Sequence, residues 1–379
     1  MKMNNLGSVL FISAVAAPAA ALAGLYGDTP DAKHAWAVHD WNRPKPAKVE
    51  VGAKGVPSDA VVLFDGTKES LEKNWRDSRG NPTRWSYSDE GYFYVVPNRS
   101  GGAIYTREEF GDCQLHIEYR HDPNQILTNQ GPQMRGNSGV FLMDNYEIQV
   151  LESYYTSAEL DGKPGFVDNY ADGQAGAVYA ENPPMVNPAR KPGEWQVYDI
   201  IFHQPVWKDR QLVHPGSVTV LFNGVVVQDH WEMEGLTTHR NRRPLAPHRT
   251  KGPLQLQDHG CLVQFRNIWY RPLPSRWDNL THSTMSADEG AVMKLRRETA
   301  AKLFAKIPDP KKGDAATLKA LAEVVSYANE GAYKAAFDSA LAAYRAKPGD
   351  KGEVNDVNNS LDVLVRNNVI PASSKIEAK

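Results

Sequence analysis

Cysteine is nearly absent. Only Cys113 and Cys261 occur in 379 residues, which excludes a fold stapled by a disulfide framework. Neither has the CxxC or Cys-His spacing of a redox or zinc site. They either form one bridge in an oxidising compartment or stand as two buried thiols on core strands. No charge of one sign dominates either. With 43 Lys and Arg against 45 Asp and Glu, the formal net charge is −2, so there is no basic stripe for nucleic acid. Long hydrophobic runs are also missing. The longest, from Val9 to Ala20, is shorter than the roughly 20 residues that span a bilayer.

That apolar run has a different use. Lys2 precedes it, and Ala21-Leu22-Ala23 before Gly24 forms an A-x-A cleavage site. Residues 1–23 therefore read as a signal peptide. The mature chain is expected to be periplasmic or secreted, with no membrane partner after cleavage and no nucleic-acid partner. Nine Trp and sixteen Tyr supply flat amphipathic rings that suit sugar faces as well as a core.

Three regions follow. Residues 24–58 carry scattered Pro and Gly, including Arg43-Pro-Lys-Pro46, and read as an extended surface lead-in. Residues 59–273 hold short runs rich in Val, Ile, Tyr, Phe and Trp, separated by Gly, Pro and Asn turns. Asn223-Gly224 between two β-branched runs is the strongest hairpin signal. Strands without intervening helical periods predict a mainly β, antiparallel sandwich. Residues 274–379 change grammar. Ala287–Lys306, Ala315–Ala328, Gly331–Arg345 and Val354–Asn367 have helical composition and predict a small α-helical extension for packing or assembly.

Alternation assigns the polar residues to faces. In Cys113–Arg120, Cys113, Leu115, Ile117 and Tyr119 share one face, and Gln114, His116, Glu118 and Arg120 the other. Tyr146–Leu151 sets Ile148 and Val150 against Glu147 and Gln149. Leu254–His259 sets Leu254 and Leu256 against Gln255, Gln257 and His259. A solvated face would favour Lys, Thr, Ser and Glu. Repeated Gln, Glu, His and Arg is the inventory that reads vicinal hydroxyls. If the three strands are neighbours, their polar faces make one carbohydrate-reading groove. Arg135-Gly-Asn-Ser-Gly139 precedes the second strand, and its glycines permit a tight turn or a close approach to a ligand.

Leu63-Phe-Asp-Gly66, Asn137-Ser-Gly-Val-Phe141, Tyr146-Glu-Ile-Gln149, Pro192-Gly-Glu-Trp195, Asn223-Gly224, Leu256-Gln-Asp-His-Gly260 and Phe265-Arg-Asn-Ile268 occur in an order that resembles the 3-keto-disaccharide hydrolase domain family, over about Val61 to Leu273. The resemblance implies a concanavalin A-like jelly-roll sandwich. It also implies hydrolase or lyase action on sugars oxidised to a ketone at C3. Such a ketone acidifies the C2–H, so a base can form an enolate that expels the C1 substituent. The site then needs a base, a group to hold the enolate oxygen and an acid for the leaving group.

On these residues, Glu147 and His259 are the catalytic candidates. Arg120 and Gln257 would hold the oxyanion, and Glu118, Asn137 and Gln149 would hold hydroxyls of the carbohydrate substrate. No cofactor motif is present. In the alternative, a divalent metal replaces Arg120, bound by Glu118, Glu147 and His259. A non-catalytic carbohydrate-binding module is the competing reading of the same groove.

Overall fold

The computed structural model describes residues 25, 27–126, 131, 133–155, 169–274 and 288–377. The signal-like segment, residues 1–23, lies outside them. The described chain divides into two compact units, one within Ala47–Arg276 and one joining residues of Met1–Pro46 to residues of Trp277–Lys379.

In the first unit the strands run β1 (Val61–Phe64), β2 (Trp75–Arg76), β3 (Ser86–Ser88), β4 (Tyr92–Tyr94), β5 (Ile104–Phe110) and β6 (Cys113–His121). Then come β7 (Ser138–Leu142), β8 (Tyr146–Val150), β9 (Gln196–His203), β10 (Val206–Lys208), β11 (Gln211–His214) and β12 (Ser217–Phe222). The series closes with β13 (Val225–Glu232), β14 (Gly235–Leu236), β15 (Arg243–Pro244), β16 (Gly252–Leu256) and β17 (Val263–Pro272). Two antiparallel sheets dominate. One is ordered β13-β12-β9-β6-β17-β4-β3 with β1 also on β17, and the other β2-β5-β16-β7-β8. Their inward faces share one apolar core, including Leu115, Ile117, Ile200 and Phe265 from the first and Val140, Ile148, Leu254 and Leu256 from the second. This is the antiparallel two-sheet β-sandwich that the strand pattern predicts.

Local chemistry explains several elements. Asn223 and Gly224 adopt φ of 52° and 82°, the left-handed pair that a two-residue hairpin between β12 and β13 requires. A short helix, α1 (Lys68–Asn74), was not evident from hydrophobic period. It starts where the Thr67 hydroxyl accepts from Ser70 N. Cys113 and Cys261 are free, buried thiols. Burial raises the pKa of both.

The sheets are also joined by polar contact. Tyr119 Oη donates to Tyr198 Oη at 3.1 Å, and Tyr198 Oη donates across the core to the Gln149 carbonyl at 2.7 Å. All three residues are buried. The contact fixes the height of β8 above the opposite sheet.

The second unit contains α3 (Glu289–Phe304), α4 (Ala315–Tyr327), α5 (Gly331–Ala346) and α6 (Lys351–Arg366), while α2 (Pro123–Ile126) belongs to the sandwich. Asp288, Asp314 and Asp350 cap three of these helices through their carboxylates. Leu318, Leu321, Phe337, Leu341, Val357 and Leu361 form their core. The lead-in up to Pro46 joins these helices: Tyr327 donates to Asp40, and Asn42 donates to Glu323 at 2.7 Å. Among the described residues, no helix is long and apolar enough to cross a membrane.

Removing the hydroxyl in Tyr198→Phe strips Tyr119 of its buried acceptor and Gln149 of one of its donors. The expected loss is about 1–3 kcal/mol, read as a lower urea midpoint at unchanged slope.

Candidate functional site

Burial along the strands separates the two outward faces. In β6, buried and half-exposed residues alternate without a break, as on a sheet with one wet side. In β8 all five residues are buried. Tyr146, Ile148 and Val150 face the core, so Glu147 and Gln149 must be covered from outside.

Two segments provide that cover. Residues 176–179 run beside β8: Gly176 N donates to the Gln149 carbonyl, Gln149 N to the Ala177 carbonyl and Tyr179 N to the Glu147 carbonyl, at 3.0–3.1 Å. This extends the sheet by a short edge and sets Tyr179 beside Glu147. On the other side Glu147 N donates to Thr237 Oγ1 at 2.9 Å, anchoring the segment Thr237-Thr238-His239. The result is a cavity of about 300 Å³ lined by Glu147, Gln149, Asn137, Gln257 and His259 together with Phe141, Tyr179, Thr237, Thr238 and His239.

Arg135-Gly-Asn-Ser-Gly139 builds its floor. Arg135 Nε pairs with Glu152 Oε2 at 3.1 Å, both side chains buried. Gly136 has φ of 62°, and a Cβ there would stand 2.3 Å from the His121 ring. Asn137 Nδ2 donates to the Gln133 carbonyl at 2.8 Å, and Ser138 Oγ to the Gln257 carbonyl at 2.7 Å. Gly139 matters most for the chemistry. A Cβ on it would lie 2.3 Å from Glu147 Oε1 and 2.8 Å from the Phe141 ring. Only the missing side chain leaves room for the carboxyl group.

Glu147 is 3% exposed, and burial pushes its pKa up to about 8. The Gln149 amide, oriented to satisfy its neighbours, donates to Glu147 Oε1 at 3.1 Å and to the Ser138 carbonyl at 3.3 Å. Gln257 Oε1 is buried and has no hydrogen-bond partner among the described residues, leaving an acceptor in the cavity wall. Tyr179 Oη is within hydrogen-bonding distance of Tyr170 Oη, 2.8 Å, and of His239 Nδ1, 3.0 Å. This polar chain runs from beside Glu147 to the rim. Burial, the Tyr170 hydrogen bond and the nearby Glu147 keep the Tyr179 phenol protonated. His259 is exposed at the mouth.

Glu147, His259, Asn137, Gln149 and Gln257 are therefore brought together. Glu118 and Arg120 are not. They lie on β6, in the other sheet, and face the opposite side of the sandwich. Their groups are engaged there. Glu118 accepts from Arg266 Nε at 2.6 Å and Asn267 Nδ2 at 2.8 Å. Burial works against its charge, yet His116, Asn267 and Arg266 hold its pKa down to about 2. Arg120 donates to Gln264 at 2.6 Å and lies over the Trp195 ring, 4.5 Å from its centroid. The correction has a simple cause: alternation assigns residues to a face of one strand, not strands to a sheet. It also separates the expected metal ligands, since Glu118 cannot join Glu147 and His259. Among the described residues, no group of three His, Cys, Asp or Glu is placed to hold a metal ion.

Tyr179, Thr237 and His239 were missed in the sequence. The only local signal was the short β-type run Gly176-Ala-Val-Tyr179, which bridges Ile148 through Val178.

Residues 59–271 match the family model described as a 3-keto-alpha-glucoside-1,2-lyase-like domain. A crystal structure from Parabacteroides distasonis, provisionally described as a glycosyl hydrolase, is 38% identical. The match covers 62% of this chain and 94% of that one, with a TM-score of 0.54. Another from the same organism with the same description is 23% identical over 56% of this chain and 99% of that one, with a TM-score of 0.38. No curated protein matches.

Glu147 gives this site a pH signature. A raised carboxyl pKa means the folded state binds the proton more tightly than the unfolded chain. Stability therefore falls as pH rises from the ordinary value of 4.5 to about 8. Glu147→Gln removes that loss, so the melting temperature of the variant relative to the parent should climb between pH 5 and pH 8.5. A constant difference across that range would contradict a raised pKa.

Proposed function

Because the chain belongs to the 3-keto-α-glucoside-1,2-lyase-like domain family, and is thereby a carbohydrate-active enzyme, we propose that it cleaves 3-keto-glycosides by removing the C2 proton and eliminating the C1 substituent. The observation that carries this reading is one buried carboxyl group, Glu147, with its pKa raised toward neutrality beneath a cavity of sugar-ring dimensions.

In this mechanism the C2–H bond breaks and its proton passes to the Glu147 carboxylate. The electron pair moves onto the C3 oxygen, giving an enolate. As the enolate collapses, a C1–C2 double bond forms and the C1–O bond breaks, its electrons leaving with the aglycone oxygen. The phenol of Tyr179, backed by His239 and Tyr170, is held protonated in the lining of the same cavity as Glu147 and supplies the leaving group's proton. Gln257 Oε1 accepts from a sugar hydroxyl, and Asn137 and His259 line the ring's remaining edge. Addition of water to the enone completes a net hydrolysis; without it the reaction is a lyase reaction. Two carboxylates across an anomeric bond, as ordinary glycosidases use, are not needed. The signal-like pattern of residues 1–23 supports a periplasmic or secreted site for this activity.

The test is incubation with a chemically prepared 3-keto-glucoside, following aglycone release and enone absorbance. Activity is expected, with kcat/KM about tenfold lower for each pH unit below about 8, because only ionised Glu147 accepts the proton. Glu147→Gln should lower it by at least 10²-fold while sugar binding persists. Binding without release by the parent would instead mark a carbohydrate-binding module.

A second prediction concerns the space around the carboxyl group. Gly139→Ala puts a methyl group where Glu147 Oε1 lies, so kcat should fall at least tenfold while KM changes little. An unchanged kcat would show that the position of the carboxyl group is not limiting.

A further inference from the structure

The Gln149 amide has a second orientation with a partner of its own. Turned over from the one that donates to Glu147, its Nε2 donates to Gln133 Oε1 at 2.9 Å. Its oxygen then stands 3.1 Å from Glu147 Oε1. Two oxygens at that distance repel unless one carries a proton. The first orientation therefore serves an ionised Glu147. The second serves a protonated one, whose carboxyl O–H donates to the Gln149 oxygen.

Gln133 is not neutral between the two. Its Nε2 donates to the Gly173 carbonyl at 3.0 Å, which aims Oε1 at Gln149. Its backbone is held as well, with N donating to Asn169 Oδ1 at 2.9 Å and the carbonyl accepting from Asn137 Nδ2 at 2.8 Å. Gly173 permits this approach, because a Cβ there would lie 2.7 Å from Gln133 Nε2. With Gln133 so fixed, a Gln149 amide that donates to ionised Glu147 sets its oxygen against Gln133 Oε1 at 2.9 Å. Relief requires Gln133 to turn over too, which abandons the Gly173 carbonyl. Gln149 is buried, so solvent supplies no substitute. Ionisation of Glu147 costs this network a hydrogen bond, and protonation costs it none.

Other titratable groups face Glu147 from the remaining elements. Tyr179, His239 and His259 share its cavity, with Tyr170 and Asp172 behind Tyr179. Strand β7 presents Gly139 and Phe141, Arg135 and Glu152 are paired in the floor, and Tyr198 reaches the Gln149 carbonyl from the core. Gln133 acts by a different route, through the orientation of one amide. We propose that Gln133 is a positioning residue for the base: it holds the Gln149 amide in the orientation that suits the protonated carboxyl, and that amide turns over when Glu147 gives up its proton. A proton taken from C2 is then received into a ready hydrogen bond with the Gln149 oxygen. This catalytic meaning rests on the elimination reading above, whereas the coupling of Gln133 to the Glu147 proton does not.

The carboxyl group is titrated directly in the full chain, through the infrared carbonyl band of the protonated acid that Glu147→Gln removes. Gln133→Met keeps the side-chain length and loses the acceptor. Its Glu147 midpoint should fall by about one pH unit, roughly the worth of one hydrogen bond. In Gln133→Glu a carboxylate accepts from Gln149 more strongly, so the midpoint should rise. A change that only loosened the floor would admit water and lower the midpoint in both variants. That result, or an unchanged midpoint in Gln133→Met, would overturn the assignment. The acidic limb of kcat/KM for a 3-keto-glucoside should move with the midpoint, making Gln133→Met several-fold faster than the parent at about pH 6. Nuclear Overhauser contacts of the Gln149 NH2 group test the turn-over without any change at position 133. They should run to the Gln133 side chain below the Glu147 midpoint and to Ser138 above it, and one set at every pH would overturn the proposal. Midpoints that shift as stated in a protein that cleaves no 3-keto-glucoside would sink the elimination reading alone.

Discussion

Desolvating an ionised carboxyl group costs several kcal/mol unless a counter-charge or hydrogen bonds repay it. Among the described residues no cation pairs with Glu147, and its neighbours are a glutamine amide, a glycine and an aromatic ring. The group meets the cost by keeping its proton to about pH 8, which is also what makes it a competent base once ionised. Everything near it serves that condition. Gly139 gives it volume, Thr237 and the 176–179 edge keep solvent off β8, and Tyr198 holds the strand from below.

The opposite face of the sandwich shows what the same residue types do when satisfied. There Asp199 and Glu118 overcome the burial penalty on His116 and raise its pKa to about 9, while Arg266 and Asn267 occupy Glu118. Arg120 and Arg266 cover Trp195 with their guanidiniums at 4.5 and 4.0 Å from the ring centroid. The charged side chains there are matched within the protein, although Trp269 Nε1, whose ring stacks on His116, is buried without a partner among the described residues. The cavity above β8 is polar in composition yet incomplete in pairing, as Gln257 Oε1 shows.

Much of this was legible beforehand. Period-two alternation identified Glu147, Gln149 and Gln257 as non-core residues, and Asn223-Gly224 marked its hairpin. The same alternation could not tell that β6 and β8 belong to different sheets, because partner choice depends on long-range pairing rather than local period. Hence Glu118 and Arg120 were grouped with residues that they do not meet. Tyr179, Thr237 and His239 escaped for another reason. They reach the site through backbone hydrogen bonds of irregular segments, which leave no periodic trace. The role of Gly139 was half visible: its freedom was evident, but the atom it makes way for lies across a strand.

The two thiols carry a consequence of their own. Cys113 is on β6 in the core and Cys261 follows β16, where its sulfur donates to the Met134 carbonyl at 3.3 Å. Only a thiolate attacks an alkylating reagent, and both groups are buried with raised pKa values. Each is inert while its surroundings remain closed. Modification at Cys113 counts openings of the entire sandwich, whereas modification at Cys261 counts local openings beside the Arg135–Gly139 floor. The chain thus contains paired clocks, one timing global unfolding and the other the breathing of the ground on which its chemistry stands.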